Sequence, residues 1–197
     1  MFSFLIPLAL VALFIFWGVG LFNGLVTARN QFKNAFAQID VQLQRRFELI
    51  PNLVETAKGY LKHERETLES VMNARAAAIS GLSAANSQPG DPEAMAQLGS
   101  SEGMLQSALG RLLAVVEAYP DLKGNQTMMQ LTEALTSTEN KVAFARQAYN
   151  DAVTAYNTRR EVFPANLVAG NFGFKPAGLL DIPADQEQMR QAPQVQF

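Results

Sequence analysis

A chain of 197 residues with a formal net charge of −2 and no cysteine holds no disulfide, thiol nucleophile or cysteine-bound zinc, and its single histidine excludes a histidine-rich metal site. The mild acidity and the lack of a basic stripe disfavour nucleic acid as a partner. Residues 1–28 carry no charged side chain, so all 16 basic and 18 acidic residues lie from Arg29 onward.

The first element is apolar. "FSFLIPLALVALFIFWGVGLFNGLV" covers Phe2 to Val26, longer than the roughly 20 residues a membrane-spanning helix needs. A cleaved signal peptide would show a basic start, a shorter apolar core and a small-x-small cleavage site. None of these is clear, so an uncleaved anchor is preferred. Arg29, Lys33, Arg45 and Arg46 follow the span closely and no basic residue precedes it. The positive-inside rule then predicts a single-pass protein of the cytoplasmic membrane, with its N-terminus outside and its C-terminal domain in the cytoplasm. Gly20 and Gly24 form one small-xxx-small pair, a weak signal of helix association in lipid.

Beyond the anchor the apolar positions follow helical spacing. Phe32, Phe36, Ile39, Leu43, Phe47 and Ile50 form one stripe, and Val54, Ala57, Leu61, Leu68, Met72 and Ile79 form a second that ends at Ser80-Gly81. "SGLSAANSQPGDP" reads as a loop. Asp91-Pro92-Glu93 starts a third helix with a capping Asp and a first-turn Pro. Tyr119-Pro120 stops it. Thr127-x-x-Gln130 resembles a capping box for a fourth. That helix carries a coiled-coil-like 3-4 repeat through Met128, Leu131, Leu135, Thr138, Val142, Ala145, Tyr149, Ala152 and Tyr156.

No strand-like alternation competes with these patterns. The expected fold is all-α: an N-terminal transmembrane helix, then an up-and-down four-helix bundle of long antiparallel helices. Residues 1–28 form the anchor, 29–163 the bundle, and 164–197 a membrane-proximal apolar segment with a flexible tail. Pro51 interrupts the first two stripes. Either it kinks one long helix or the chain reverses there. Reversal is preferred, because it yields helices of roughly 20, 28, 26 and 34 residues that can cover one another. Arg45 and Arg46 would then close the first helix, where cations meet free carbonyls, and present exposed charge at the membrane-distal tip.

An even number of helices returns the chain to the membrane at "RREVFPANLVAGNFGF". Arg29, Lys33, Arg159 and Arg160 are candidates to meet headgroups there, with Phe163, Leu167, Phe172 and Phe174 dipping into the interface. An equal alternative is that these residues cap the open end of the bundle. Beyond Leu180, "DIPADQEQMRQAPQVQF" has the composition of a flexible tail.

"IDVQLQRRFELIPNLVETAKGYLKHE" (Ile39–Glu64), "VVEAYPDLKGN" (Val115–Asn125) and "TENKVAFARQAYNDAVTAYNTRREVFPANLVA" (Thr138–Ala169) together resemble the LemA family. The resemblance spans nearly the whole chain, in order. It implies a membrane-anchored bacterial four-helix bundle with a short outside N-terminus, and, through a member in magnetosome biogenesis, an association with membrane organisation. It supplies no settled activity and no catalytic residue.

One constellation invites chemistry. Glu139, Arg146, Asn150 and Asn157 share a face of the fourth helix at 7-4-7 spacing, and Arg45 and Arg46 on the first helix add cations. Three interpretations compete: polar pairs that fix helix register, an interaction surface for a partner protein or anionic lipid, and a cleft around Glu139 and Arg146 that binds an anion and moves protons. The first is favoured and the last is the weakest, since no phosphate loop, zinc-protease helix or convincing acid pair accompanies it. The expected function is therefore a non-enzymatic scaffold or assembly factor that self-associates, with no catalytic residue, cofactor or metal. Its expected partners are membrane lipid, further copies of the chain and a protein the sequence does not identify.

Overall fold

The computed structural model describes residues 2–182, with side chains from Pro7 onward. It contains α1 (Phe2–Lys58), α2 (Arg65–Ser87), α3 (Pro92–Glu117), the single turn α4 (Pro120–Lys123), α5 (Gln126–Glu161) and the short α6 (Ala165–Asn171). No strand occurs among the described residues, and the fold is all-α. Short connections reverse the chain between the long helices. α1 packs mainly along α5 and α2 along α3, with α1 and α2 joined as a hairpin.

The reversal predicted at Pro51 does not occur there. α1 runs 57 residues without a break, about 85 Å at 1.5 Å per residue, and the chain turns only at Gly59–Glu64. Packing explains why. Phe47, Ile50, Leu53, Val54 and Ala57 are all buried, so one apolar stripe continues across Pro51. Proline's missing N–H leaves the carbonyl of Phe47 without its helical donor. Arg75 of α2 fills that place, its Nε donating to Phe47 O at 2.7 Å.

Three further boundaries differ from expectation. α2 does not stop at Gly81 but continues to Ser87, because Gly81 is where α3 crosses: a Cβ there would lie 2.5 Å from Ser101 Oγ. The glycine is a packing contact rather than a stop. α5 starts earlier than the Thr127 capping box, with Asn125 Oδ1 accepting from Met128 N at 3.0 Å. Arg45 and Arg46 lie mid-helix and cap nothing. At the start of α3 the expected cap is present, Asp91 accepting from Ala94 N at 3.0 Å.

The apolar N-terminal part of α1 is uncovered: Leu8, Leu10, Leu13, Phe14 and Phe16 are each more than 60% exposed. From Leu25 the buried stripe begins, continuing through Ala28, Phe32, Phe36, Ile39 and Leu43. Aromatic contacts tie α1 to α5, Phe36 edge-on to Tyr149 with centroids 5.7 Å apart and Phe32 tilted against Tyr156 at 5.1 Å. After α6 the chain runs without helix from Phe174 to Ile182, and Phe174, Ala177, Leu180 and Ile182 are buried. Asp181 and Ile182, which open the expected flexible tail, thus belong to a packed strap. Pro183–Phe197 lies outside the described residues.

Candidate functional site

The polar face of α5 divides into parts with different duties. Asn150 grips the strap at both ends of one amide: its Oδ1 accepts from Leu180 N at 2.9 Å and its Nδ2 donates to Leu180 O at 3.2 Å. Asn157 does the same to Ala177, at 3.0 and 2.8 Å. Seven helical residues advance about 10.5 Å, and three extended residues advance about 10 Å. The two asparagines therefore match every third residue of an extended chain running antiparallel to α5.

The tyrosine before each asparagine completes the grip. Tyr149 OH donates to Gly178 O and Tyr156 OH to Lys175 O, both at 2.8 Å. Burial pushes both phenols above the usual tyrosine range, with Arg29 and Arg160 opposing the shift at Tyr156, so both keep their protons and act as donors. From the α2–α3 turn, Gly90 O accepts from Gly178 N at 2.9 Å. The opposite wall is shaped to fit: a Cβ on Gly99 would meet Asp181 O at 2.0 Å, and one on Gly178 would meet Pro92 Cα at 2.6 Å.

The other members of the predicted seam stand apart. Glu139 is exposed, and its Oε1 accepts from Gln106 Nε2 of α3 at 3.1 Å. Arg146 is half-buried one turn before Asn150, and seven residues separate it from Glu139. A hollow of about 870 Å³ opens between the C-terminal half of α3 and the start of α5, lined by residues such as Val116, Met128, Thr132 and Asn140; neither Glu139 nor Arg146 lines it.

Arg45 is exposed, but Arg46 is not the exposed tip residue expected: it is 4% exposed and its Nη1 donates to buried Glu102 Oε2 of α3 at 3.1 Å. Burial pushes the Glu102 carboxyl up to about 7 despite the downward pull of Arg46. The reason lies in spacing. Arg46 follows Leu43 by three residues and precedes Ile50 by four, on the same buried face, and only α3's placement supplies its acid.

The end of the bundle beside the apolar span gathers the remaining candidates. Arg159 Nη1 donates to Gly24 O at 2.9 Å, fixing the end of α5 beside the last turns of the span. Phe163, Leu167 and Phe172 are exposed, at 78%, 59% and 66%. Phe22 stacks edge-on against Phe172 and Phe174, with centroids 5.2 and 5.5 Å away. Of the two readings for Phe174, a dip into lipid and a cap on the bundle end, its burial fits the second: it is 5% exposed, with the Arg29 guanidinium 5.0 Å from its ring centroid. Lys33 is exposed, and Arg160 Nη2 pairs with Glu161 at 2.8 Å.

The arrangement of apolar span, long helices and strap is accompanied by a family match covering residues 35–197, described as the LemA family. This chain belongs to the LemA family. It is 28% identical over 171 residues to magnetosome protein MamQ 2 of Paramagnetospirillum magneticum, covering 79% of this chain and 63% of that one. To the protein LemA of Metamycoplasma hominis it is 26% identical over 159 residues, covering 81% and 68%. To magnetosome protein MamQ of Magnetospirillum gryphiswaldense it is 27% identical over 169 residues, covering 78% and 62%. The chain thus spans somewhat less than two thirds of the length of these MamQ relatives.

In this LemA-family chain, sequence reasoning marked Asn150 and Asn157 but not their ligand. Glu102, Arg75 and the hydroxyl of Tyr156 carry no sequence expectation, and Tyr149 is legible only as a neighbour of the seam. A signal for the tyrosines was available: Tyr-Asn occurs twice, at Tyr149-Asn150 and Tyr156-Asn157, seven residues apart. Nothing local marked Glu102 or Arg75, whose partners lie on another helix.

Proposed function

We propose that this chain is a non-enzymatic, single-pass membrane protein that acts as a scaffold for a membrane-bound assembly through self-association. One observation carries this reading: the apolar span and the first bundle helix are a single helix, α1, with no flexible linker between them. A bundle joined in this way is held at a set height and angle to the bilayer, as a scaffold requires and a tethered module does not. Residues Phe2–Val26 cover about 37 Å, enough to cross a hydrocarbon core of about 30 Å. Arg29, Lys33, Arg45 and Arg46 favour a cytoplasmic bundle and an outside N-terminus.

The exposed Phe163, Leu167 and Phe172 at the level of Gly24 form a second contact with the bilayer surface, and Lys33 and Arg159 meet its headgroups. The MamQ relatives, named as magnetosome proteins, support a role in membrane organisation, and none of the relatives' names denotes a reaction. A second reading, in which α5 offers its polar face to a partner, has less room, since Asn150 and Asn157 already hold the strap.

Native mass spectrometry of the full-length protein, extracted gently from its own membrane at native abundance, tests the proposal. A defined homo-oligomer is expected. A strict monomer, or a one-to-one complex with a different chain, overturns self-association.

A further inference from the structure

The grip of α5 on the strap has an uncommon property: nearly all of it is directed at backbone. Lys175 O, Ala177 N and O, Gly178 N and O, and Leu180 N and O each have a partner outside the strap. Asn150 and Asn157 supply a donor and an acceptor each, the pattern one strand of a sheet offers its neighbour. Such a clamp binds any extended segment that places N–H and C=O three residues apart. Selectivity comes from the opposite wall, where Pro92 demands glycine at the middle position and Gly99 makes room for the Asp181 carbonyl. Small, Gly, any residue, Leu is the matching pattern, read from Ala177 to Leu180.

The connection leading to the strap buries fewer side chains than the strap itself, with α6 resting on α1 and α5 and Phe172 stacked on Phe22. Between the end of α5 and Phe174 lie about 12 residues, of which Val162, Phe163, Leu167 and Phe172 are exposed and only Ala165 and Ala169 are buried. Unrolled, that length reaches about 40 Å. This exceeds the width of a four-helix bundle, whose axes lie about 8–10 Å apart.

We infer that the groove formed by Asn150, Asn157, Tyr149 and Tyr156 of α5 and Gly99 of α3 is a binding site for extended peptide, and that it accepts the Phe174–Ile182 strap of a second copy of this chain. The occupant follows from geometry. A backbone clamp does not distinguish its own strap from an identical one, and the second copy carries the glycine and leucine that the wall selects. This rests on the membrane-anchored reading: copies anchored in one bilayer stand parallel at one height. A neighbour's strap then enters the groove in the same register and direction as the chain's own. Exchange leaves every hydrogen bond of the groove intact and links copies through their membrane-proximal ends.

Two full-length variants with different tags test this when co-expressed. One, Asn150→Ala with Asn157→Ala, has a sound strap and a broken clamp. The other, Gly178→Arg, has a sound clamp and a strap that Pro92 excludes. Exchange predicts that the unlike pair co-purifies roughly tenfold above either like pair, because only the unlike pair combines a working groove with a working strap. Equal recovery of like and unlike pairs overturns it. Alkaline carbonate washing of the same membranes reports anchoring separately, so loss of the anchor and failure of exchange give different results. If either variant does not fold, Leu179→benzoylphenylalanine in the otherwise unaltered chain places a photocrosslinker on the exposed side of the strap. Adducts at dimer mass joining this residue to α3 or α5 of the other copy uphold exchange, and adducts confined to monomer mass overturn it.

Discussion

Pro51 has no N–H to offer the carbonyl of Phe47, and Arg75 Nε donates to that oxygen instead, at 2.7 Å. A part-buried carbonyl stripped of its only partner costs about 1–3 kcal/mol, so Arg75→Met should lower stability by that amount in denaturant unfolding. In a Pro51→Ala background the backbone N–H returns, and the same Arg75→Met change should cost much less. Equal losses in both backgrounds would show that the bond does not serve the proline. The Arg46–Glu102 pair makes a second prediction. A carboxyl whose folded pKa, about 7, exceeds its unfolded value of 4.5 binds its proton more tightly in the native state. Its contribution is therefore fully present below about pH 4.5 and is lost as pH rises through about 7, by on the order of 3 kcal/mol. Unfolding followed from pH 5 to 8 should show this decline, and Glu102→Gln should flatten it. An identical pH profile in the variant would assign the decline to other groups.

Helices here are shaped by where their neighbours cross. Gly81 reads as a stop in isolation, but α2 passes through it because Ser101 of α3 needs the space. Gly99 plays the same part for the strap, whose Asp181 carbonyl occupies the position of a side chain. Gly99→Ala should therefore lift the strap from the groove while leaving the helices formed, since alanine is a better helix former than glycine. Limited proteolysis would reveal this as faster cutting between Phe174 and Ile182 at unchanged helical circular dichroism. Unchanged cutting would show that the strap tolerates the methyl group by shifting. The strap itself contributes no regular element. Its order comes chiefly from α5, through two amides and two hydroxyls placed one heptad apart, with Gly90 O of the α2–α3 turn accepting from Gly178 N.

At the scale of the molecule, α1 continues an apolar span, long enough to cross a bilayer, directly into the spine of a bundle. Residues 29–58 of α1 extend about 45 Å from the span; α5, of 36 residues, packs along that length, and α2 and α3, of 23 and 26 residues, pack chiefly on each other. The turn at Gly59–Glu64 is consequently the point farthest from the apolar span along α1. Because the chain has no cysteine, Lys62→Cys in this exposed turn is a unique thiol. In intact cells an impermeant maleimide should leave it unlabelled and should label it after permeabilisation. Labelling without permeabilisation would place the bundle outside and reverse the orientation.

The apolar span, the all-α class and most of the buried stripe were determined by the sequence alone, because helical periodicity and apolar length are local properties that a single chain displays. Phe32, Phe36, Ile39, Leu43, Phe47 and Ile50 were legible as one face, and each is buried. Whether Pro51 broke that face was not local: it depended on a guanidinium 24 residues further along the chain. The burial of Arg46 depended likewise on an acid 56 residues away. Asn150 and Asn157 were visible as a polar seam, but their ligand was not, since Phe174–Ile182 has no periodicity of its own. Only the packed helices create the groove in which its backbone hydrogen bonds are met.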